Sequence, residues 1–483
     1  LSSKLIEYMS WSDDVMEEVY NKVVNTINNK MDIHIKHTIY DQYNCMEDKL
    51  EFFKKYLIPS QDEVKLFGEV FTPIPLIEEM LDKLPDDVWS NKNLKWLDPA
   101  NGIGNFPIII YQRLMKGLKD IIENEEDRKK HILENMLYMV DISSKNTFIC
   151  MNIFDSNNEY NLNIYKGDFL TANIQEIFGV EKFDIIVGNP PYQPSGSAGG
   201  KSGGNQKKLW VDFVEKGLDL VNHNQFLVFV HPTSWRAGTK KIFKKIGNRL
   251  INGNFIFLEV NADENGHFKH STRIDWYVWK NSSPNNHIVL KNKSSVIEIK
   301  NAFQSIIPST ADSTIWSILD KTIFSDLEKI KSEYSDERIK APGNEIDNIY
   351  QWPFVVAAKN GVWFAEHQHN LQNIKKVFIS TTTDGSGNIY LGKDTEGKFG
   401  IFANFAFIAK NETQVENFYT YLNSGLIRMI FKLFKFSRYI SGAFVEKIPL
   451  PSLNIDEHWT VENIYTSFNL TTKEIQCIEN AIQ

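Results

Sequence analysis

Asp184-Ile185-Ile186-Val187-Gly188-Asn189-Pro190-Pro191-Tyr192 reads as a buried strand that stops abruptly. Four apolar or small residues follow an acid. Both prolines fix φ and lack an N–H, so no strand continues through them. The turn projects Asn189 and Tyr192 from the carboxyl end of a strand, which is where open α/β sheets bind ligands. Asn189 offers a side-chain carbonyl, Pro190 a backbone carbonyl and Tyr192 an aromatic face. Two acceptors in front of a π-face suit a planar group carrying an NH2, such as a nucleobase. A tight turn with a packed tyrosine is the plainer alternative, and the flanking segments decide between them.

Upstream, Leu94-Lys95-Trp96-Leu97-Asp98-Pro99-Ala100-Asn101-Gly102-Ile103-Gly104-Asn105-Phe106 reads as strand, glycine turn and helix, the helix running through about Asn135. Strands are predicted over Leu137–Val140, Leu162–Tyr165, Phe183–Val187 and Phe226–Val230, with a helix over Leu209–Leu220. Strands separated by helices predict an α/β fold with a mainly parallel, covered sheet. Phe255–Val260 and Ile274–Trp279 follow as a strand pair closing it.

The turn Gly102-x-Gly104 departs from the dinucleotide pattern Gly-x-Gly-x-x-Gly, because Pro107 stands where the third glycine belongs. Phosphate is therefore not its best ligand, and Asp98 beside it suits a group bearing an ammonium. Asp141 ends the next strand, where an acid can accept from two ribose hydroxyls. Its distance in sequence from Asp98 exceeds the ~20 residues usual for that arrangement, which predicts a longer intervening helix. Asp168, in Lys166-Gly167-Asp168-Phe169, ends a further strand and can accept from an adenine amino group with Phe169 packed nearby. One such acid is commonly a loop carboxylate or cap. Three at successive strand ends, all before Asn189, point to a ligand.

The chain has 483 residues, enough for two or three domains, and a net charge of −8, so it is no general polycation. Three widely spaced cysteines, Cys45, Cys150 and Cys477, predict a reduced, intracellular and cytoplasmic protein. Leu-Ser-Ser-Lys at the start shows no signal-peptide pattern. No run of about 18 apolar residues predicts a membrane span, and no metal-ligand spacing stands out. Residues 1–58 read as a helical N-terminal segment ended by Pro59-Ser60. In Phe71-Thr72-Pro73, Thr72 is placed to cap a helix starting at Pro73. A glycine-rich run over residues 194–206 is either a linker or a lid. A composition shift near residues 281–300 marks a junction, so the expected domains are 1–58, 59–290 and 291–483. Strand-like runs Pro353–Ala358, Lys376–Ser380 and Phe402–Ile408, with a turn at Asp384–Gly387, make the last of these mixed.

Three basic clusters interrupt the acidic background. Lys201, Lys207 and Lys208 sit in or beside the glycine run. Arg236, Lys240, Lys241, Lys244, Lys245 and Arg249 occur with no acid among them. Arg428, Lys432, Lys435 and Arg438 interleave with Phe431, Phe434 and Phe436, which read as helix core. Together the clusters suggest a cleft that tracks phosphates.

At these residues the chain resembles the S-adenosylmethionine-dependent amino-group DNA methyltransferases, most nearly the N6-adenine type with the gamma-class motif order. There a Phe-x-x-Pro motif precedes Asp-Pro-x-x-Gly-x-Gly, which precedes Asn-Pro-Pro-Tyr, and target recognition is C-terminal. Here the first motif is shortened to Phe71-Thr72-Pro73. The resemblance covers about residues 65–280. Leu422-Asn423-Ser424, Lys435-Phe436-Ser437-Arg438, Ser441-Gly442 and Ile448-Pro449-Leu450-Pro451 resemble the end of such recognition domains. It implies a Rossmann-like methyltransferase domain followed by a mixed α/β target-recognition domain.

The resemblance also implies roles. Phe71, Thr72 and Pro73 line the methionine end of the cofactor. Asp98, Ala100, Gly102 and Gly104 form its main loop, Asp141 holds the ribose, and Asp168 and Phe169 hold the adenine. Asn189, Pro190 and Tyr192 hold the target adenine for methylation at N6, and Phe268 stacks on it. Double-stranded DNA is the implied substrate and a cognate restriction endonuclease a candidate partner, with no metal and no membrane. An amino-group methyltransferase acting on RNA or protein glutamine stays open as an alternative, as does a non-catalytic DNA-binding subunit of a restriction–modification system. No nuclease cluster supports a fused restriction enzyme.

Overall fold

Five short strands run parallel. They are β1 (Trp96–Asp98), β2 (Leu137–Asp141), β3 (Asn163–Lys166), β4 (Phe183–Gly188) and β5 (Val221–Pro232). They come from a computed structural model that describes residues 72–482, apart from 156, 193–207, 238–240, 266–272, 285–286, 300–306, 336–345, 347–348, 357–361, 384–388, 403, 435–439 and 441. The expected N-terminal helical segment, Phe71, the glycine run and the turn at Asp384–Gly387 lie outside the described residues.

The chain divides into two compact units, Leu1–Pro232 with Asn252–Ile288, and Thr233–Ile251 with Val289–Gln483. Residues 233–251, which the sequence reading runs on within the first domain, pack with the second unit. In the first unit the strands lie in the order β3-β2-β1-β4-β5-β7-β6, where β6 is Asn254–Glu259 and β7 is Ile274–Lys280. β7 is antiparallel to both β5 and β6 and stands between them.

β4 is buried from Phe183 to Gly188 except for its acid. A strand covered on both faces needs this unbroken apolar run. Asp184 pins the strand's start, accepting from the Lys95 N–H at 2.8 Å and from Asn222 Nδ2 at 2.9 Å. The acid that opens the decisive stretch is thus a structural tie to the segments leading into β1 and β5.

The helices are α1 (Ile74–Leu81), α2 (Asn105–Gly117), α3 (Glu125–His131), α4 (Ser144–Phe154), α5 (Ile174–Phe178) and α6 (Leu209–Leu220). α1 corrects the expected cap. Pro73 is itself the N-cap, and its carbonyl accepts from the N–H groups of Leu76 and Ile77 at 3.0 and 3.1 Å. Thr72 is buried and makes no cap. The single long helix expected from residue 105 to about 135 is broken as well. α2 stops at Gly117, packed so closely on Trp89 that a Cβ there would lie 2.3 Å from its carbonyl oxygen. Asn124 then caps a new helix, accepting from the Asp127 N–H at 2.9 Å, and a π-helical turn over Ile132–Met136 leads into β2.

The second unit holds α7 (Lys241–Ile251) and a four-stranded sheet of β8 (Ser332–Ser335), β11 (Lys376–Thr383), β12 (Ile389–Asp394) and β14 (Asn404–Ile408). Its strand order is β8-β14-β11-β12. A smaller sheet orders β10 (Trp363–Ala365), β9 (Trp352–Val356) and β13 (Gly400–Phe402). Lys376 and Asp394 form a fully buried ion pair of 2.7 Å. The Leu371 and Ile374 carbonyls take the remaining lysine donors at 3.0 Å each, so the buried charge is fully partnered. The architecture is mixed α/β, a central sheet followed by a mixed C-terminal region.

Gly104 has φ +97°, and a Cβ there would stand 3.0 Å from Cys150 Sγ. Gly104→Ala is expected to destabilise the protein by about 1–3 kcal/mol in denaturant unfolding. Adding Cys150→Ala should recover only the crowding part of that loss.

Candidate functional site

The strand order reverses direction between β1 and β4, and the carboxyl ends of the strands there surround a cavity of about 180 Å³. Such a switch point leaves a crevice because the connections on its two sides turn away from each other. Asp98 ends β1 inside it, buried to 3% exposure. Its Oδ1 accepts from the Ala100 N–H at 3.1 Å, and a Cβ on Gly188 would stand 3.1 Å from the same oxygen. The missing side chain of Gly188 therefore gives β4 room to end against this carboxylate. Burial pushes the Asp98 carboxyl up to about 8; the Ala100 N–H opposes that and the Asp141 charge adds to it.

Asp141, at the end of β2, ties the glycine turn together. Its Oδ2 accepts from the Gly102 N–H at 2.9 Å, and its Oδ1 from the Ser143 N–H at 2.8 Å and Asn146 Nδ2 at 3.3 Å. Ile142 beside it is 58% exposed and lines the cavity. A large apolar side chain left open at a cleft is a ready face for a flat ligand.

Asn101 and Asn105 line the same cavity and are each 6% exposed. Asn101 Nδ2 donates to the Gly102 carbonyl at 2.7 Å, and Asn105 Nδ2 to the Thr72 carbonyl at 3.0 Å. Each amide's orientation is fixed by that bond, so each Oδ1 is an acceptor. Neither buried Oδ1 finds a partner among the described residues. Such groups are costly unless a ligand or water supplies a donor.

The loop after β3 forms a further wall. The Gly167 N–H donates to the Asp141 carbonyl at 2.9 Å, and the Leu170 N–H donates to Asp168 Oδ1 at 2.9 Å. Phe169 is buried and stacks on Phe213 of α6, with ring centroids 5.3 Å apart. Lys216, three residues further along α6, donates to the carbonyls of Phe169, Leu170 and Ala172. Burial lowers its ammonium from the ordinary lysine value, and the Asp168 charge opposes this.

Asn189 and Pro191 complete the lining from the end of β4. The Tyr192 hydroxyl is buried and finds no hydrogen-bond partner among the described residues. Burial first, and the charge of Asp263 second, raise its phenol well above the ordinary value.

One cavity therefore brings together Thr72, Asp98, Ala100, Gly102, Asp141, Asp168, Phe169 and Asn189. Gly104 stands behind them as the N-cap of α2, and Pro73 is at the start of α1. The sequence reading missed Asn101, Asn105, Ile142 and Lys216. Only Lys216 left a signal, the one cation of the helix Leu209–Leu220, three residues from Phe213.

The basic clusters fare unevenly. Phe71, Phe268, Lys201, Lys207, Lys240, Lys435 and Arg438 lie outside the described residues. Arg236 is a correction: it is 3% exposed and its guanidinium donates to the Ile307 and Pro308 carbonyls and to Ser309 Oγ. It holds a loop inside the second unit and is not available to phosphate. In α8 (Gly425–Leu433) the Lys432 ammonium donates to the Ala481 carbonyl at 2.9 Å, and Arg428 is half-buried. Phe431 and Phe434 are core and pack on Phe444. Lys241, Lys244 and Lys245 lie on α7, with Lys245 exposed, and Lys208 is the half-buried N-cap of α6.

The Eco57I restriction-modification methylase family matches residues 92–268, which span β1 to β6. A Mycoplasma pneumoniae protein named as an uncharacterized adenine-specific methylase is 28% identical, over 58% of this chain and 85% of that protein. The modification methylase CviBIII of Paramecium bursaria Chlorella virus NC1A is 30% identical over 26% of this chain and 32% of its own length. Among solved structures, the type IIL restriction-modification enzyme MmeI in complex with DNA has a TM-score of 0.49 at 13% identity, covering 91% of this chain and 79% of that one. Through the segment that builds the cleft, the chain is similar to methylases, and by the family match to those of restriction–modification systems.

Proposed function

We propose that this chain transfers a methyl group from S-adenosylmethionine to N6 of an adenine extruded from a specific duplex DNA sequence. One observation carries the reading: the strand-end carboxylates Asp98 and Asp141 and the Asp168 carboxylate of the loop after β3 share a single cleft with Asn189. The similarity of residues 92–268 to restriction-modification methylases supports it. So does the order of motifs in the sequence, which resembles that of the gamma class.

The donor set fits this methyl donor. Burial raises the Asp98 carboxyl to about 8, and a cation beside it, such as an amino-acid ammonium, favours its ionised form. The buried acceptors Asn101 Oδ1 and Asn105 Oδ1 add places for N–H groups, with Phe71, Thr72 and Pro73 at the methionine end. The backbone of Ala100, Gly102 and Gly104 shapes the loop, Asp141 takes ribose hydroxyls, and Asp168 with Phe169 takes the purine. When bound, S-adenosylmethionine supplies an electrophilic sulfonium methyl group.

The chain's own work is on the acceptor nitrogen. The adenine N6 lone pair is delocalised into the ring and is a poor nucleophile. The Asn189 side-chain carbonyl and the Pro190 backbone carbonyl accept its two hydrogens. This favours tetrahedral nitrogen, localises the pair and stabilises the positive charge that develops there. The face of Tyr192 stabilises the same charge. Extrusion of the base costs a few kcal/mol. Stacking on Tyr192 and Phe268, at about 1–3 kcal/mol per base, offsets it.

Residues 59–290 then serve as the methyltransferase domain and 291–483 as the recognition domain, with 233–251 packed into the latter's unit. Lys201, Lys207, Lys208, Lys240, Lys241, Lys244, Lys245, Arg428, Lys435 and Arg438 are the candidates to follow DNA phosphates. The setting is a restriction–modification system in the cytoplasm, with a cognate endonuclease as partner.

Asn189→Ala is expected to lower turnover by about 10²–10³-fold while the cofactor Kd stays within about twofold; near-normal turnover sinks the mechanism. Cofactor affinity should also depend on pH. The unliganded Asp98 carboxyl keeps its proton up to about pH 8, and a cation needs it ionised. Binding should therefore weaken as pH falls below about 8, approaching tenfold per unit, with proton release seen by calorimetry in buffers of different ionisation enthalpy. By the same linkage the raised pKa stabilises the unliganded fold at low pH, and that contribution is lost as pH rises from about 4 through about 8. Asp98→Asn should remove both dependences. Replacing Lys241 and Lys245 with Ala should weaken DNA binding and flatten its salt slope by about one per lost phosphate contact. An unchanged slope removes α7 from the interface.

A further inference from the structure

Lys216 grips three carbonyls from four successive residues: Phe169 at 2.5 Å, Leu170 at 3.3 Å and Ala172 at 2.8 Å. An ammonium carries three donors and no acceptor, so these bonds use its full complement. Carbonyl oxygens turned toward one point repel each other, and a cation at that point makes the arrangement stable. The N–H groups of two of the same residues bind Asp168. Leu170 N–H donates to Asp168 Oδ1 at 2.9 Å, and Ala172 N–H donates to the Asp168 carbonyl at 2.9 Å. The lysine therefore holds the carbonyls of the turn while its N–H groups hold Asp168. Its ammonium also stands 4.8 Å from the Phe169 ring centroid, and Phe169 stacks on Phe213 one turn back on α6. Asp168 Oδ2 accepts no hydrogen bond from the described residues, and the residue lines the cleft.

We propose that Lys216 is a positioning residue for purine selectivity: it immobilises the 168–172 turn so that the Asp168 carboxylate reads the 6-amino group of the cofactor's adenine and rejects a 6-oxo purine. The inference rests on the S-adenosylmethionine reading of the cleft. A 6-oxo purine sets a carbonyl against the carboxylate, acceptor against acceptor. A mobile turn would swing away and tolerate that ring, whereas an immobile one cannot.

The test is calorimetric titration of the full chain with S-adenosylhomocysteine and with its 6-oxo analogue S-inosylhomocysteine. The proteins are the unmodified chain, Lys216→Met and Lys216→Arg, with thermal melting followed in parallel. The unmodified chain is expected to prefer the adenosyl ligand at least about tenfold. Lys216→Met keeps the apolar stem over Phe169 but loses the donors. Its adenosyl affinity should fall about tenfold while the inosyl affinity changes less than about twofold. Lys216→Arg should restore most of the preference. Equal weakening of both ligands marks a merely structural lysine and overturns the proposal, as does a preference that survives in Lys216→Met. If that variant does not fold, Lys216→Gln carries the same comparison, with a reduced preference expected and an unreduced one overturning it. An unmodified chain that binds both ligands equally removes Asp168 as the reader. One that binds neither removes the cofactor reading itself.

Discussion

The cleft depends on β1 and β4 lying side by side and parallel, with no side chain at Gly188. The register pairs Trp96 with Ile185 and Leu97 with Ile186, so Asp98 ends β1 one residue short of the end of β4 at Gly188. Any Cβ at Gly188 would press on the Asp98 carboxylate. Glycine there lets a buried acid stand within reach of the residue that follows, Asn189. The strand order reverses at this pair, and the crevice opens there. The acids of β2 and of the loop after β3 extend the same wall outward. The positions of the cleft-lining acids and of Asn189 follow from that adjacency.

The chemistry of the wall is one-sided. Asp98, Asp141, Asp168, Asn101 Oδ1, Asn105 Oδ1 and Asn189 all present acceptors. A wall of acceptors selects against phosphate and for ammonium, amino and hydroxyl groups. The missing third glycine, with Pro107 in its place, says the same from the sequence side. Lys216, beside the wall, is used internally by the loop after β3. Within the second unit Arg236 is likewise used internally, on the carbonyls of Ile307 and Pro308. In the proposed function, attraction for DNA phosphates then falls to other basic side chains, of which Lys245 on α7 is exposed.

Much of the first unit was legible in the sequence, because fully buried parallel strands write themselves as short apolar runs. The strands ending at Asp141 and at Gly188, and the helix Leu209–Leu220, fall where the runs place them. The acids at strand ends were legible for the same reason: each interrupts a run at its boundary. What the sequence hid was non-local. Arg236 sits in a basic run and looks solvated, but its partners are some 70 residues downstream, at 307–309. Lys216 meets its carbonyls across 44 to 47 residues. Asn101 and Asn105 look like turn residues until their amide nitrogens are seen to be occupied. Local chemistry also misled at Thr72, a good cap by type. Pro73 is extended, with ψ 139°, and takes the capping position, leaving the threonine buried with its carbonyl on Asn105.

The most direct measurement is expression in a methylation-deficient host followed by sequencing of its DNA with a method that reads modified bases. The Asn189→Ala variant is expressed beside the unmodified chain. The account predicts N6-methyladenine at one position of one recurrent sequence, absent when Asn189 is replaced. Modified cytosine, no modified base, or methyladenine that persists in the variant would contradict it.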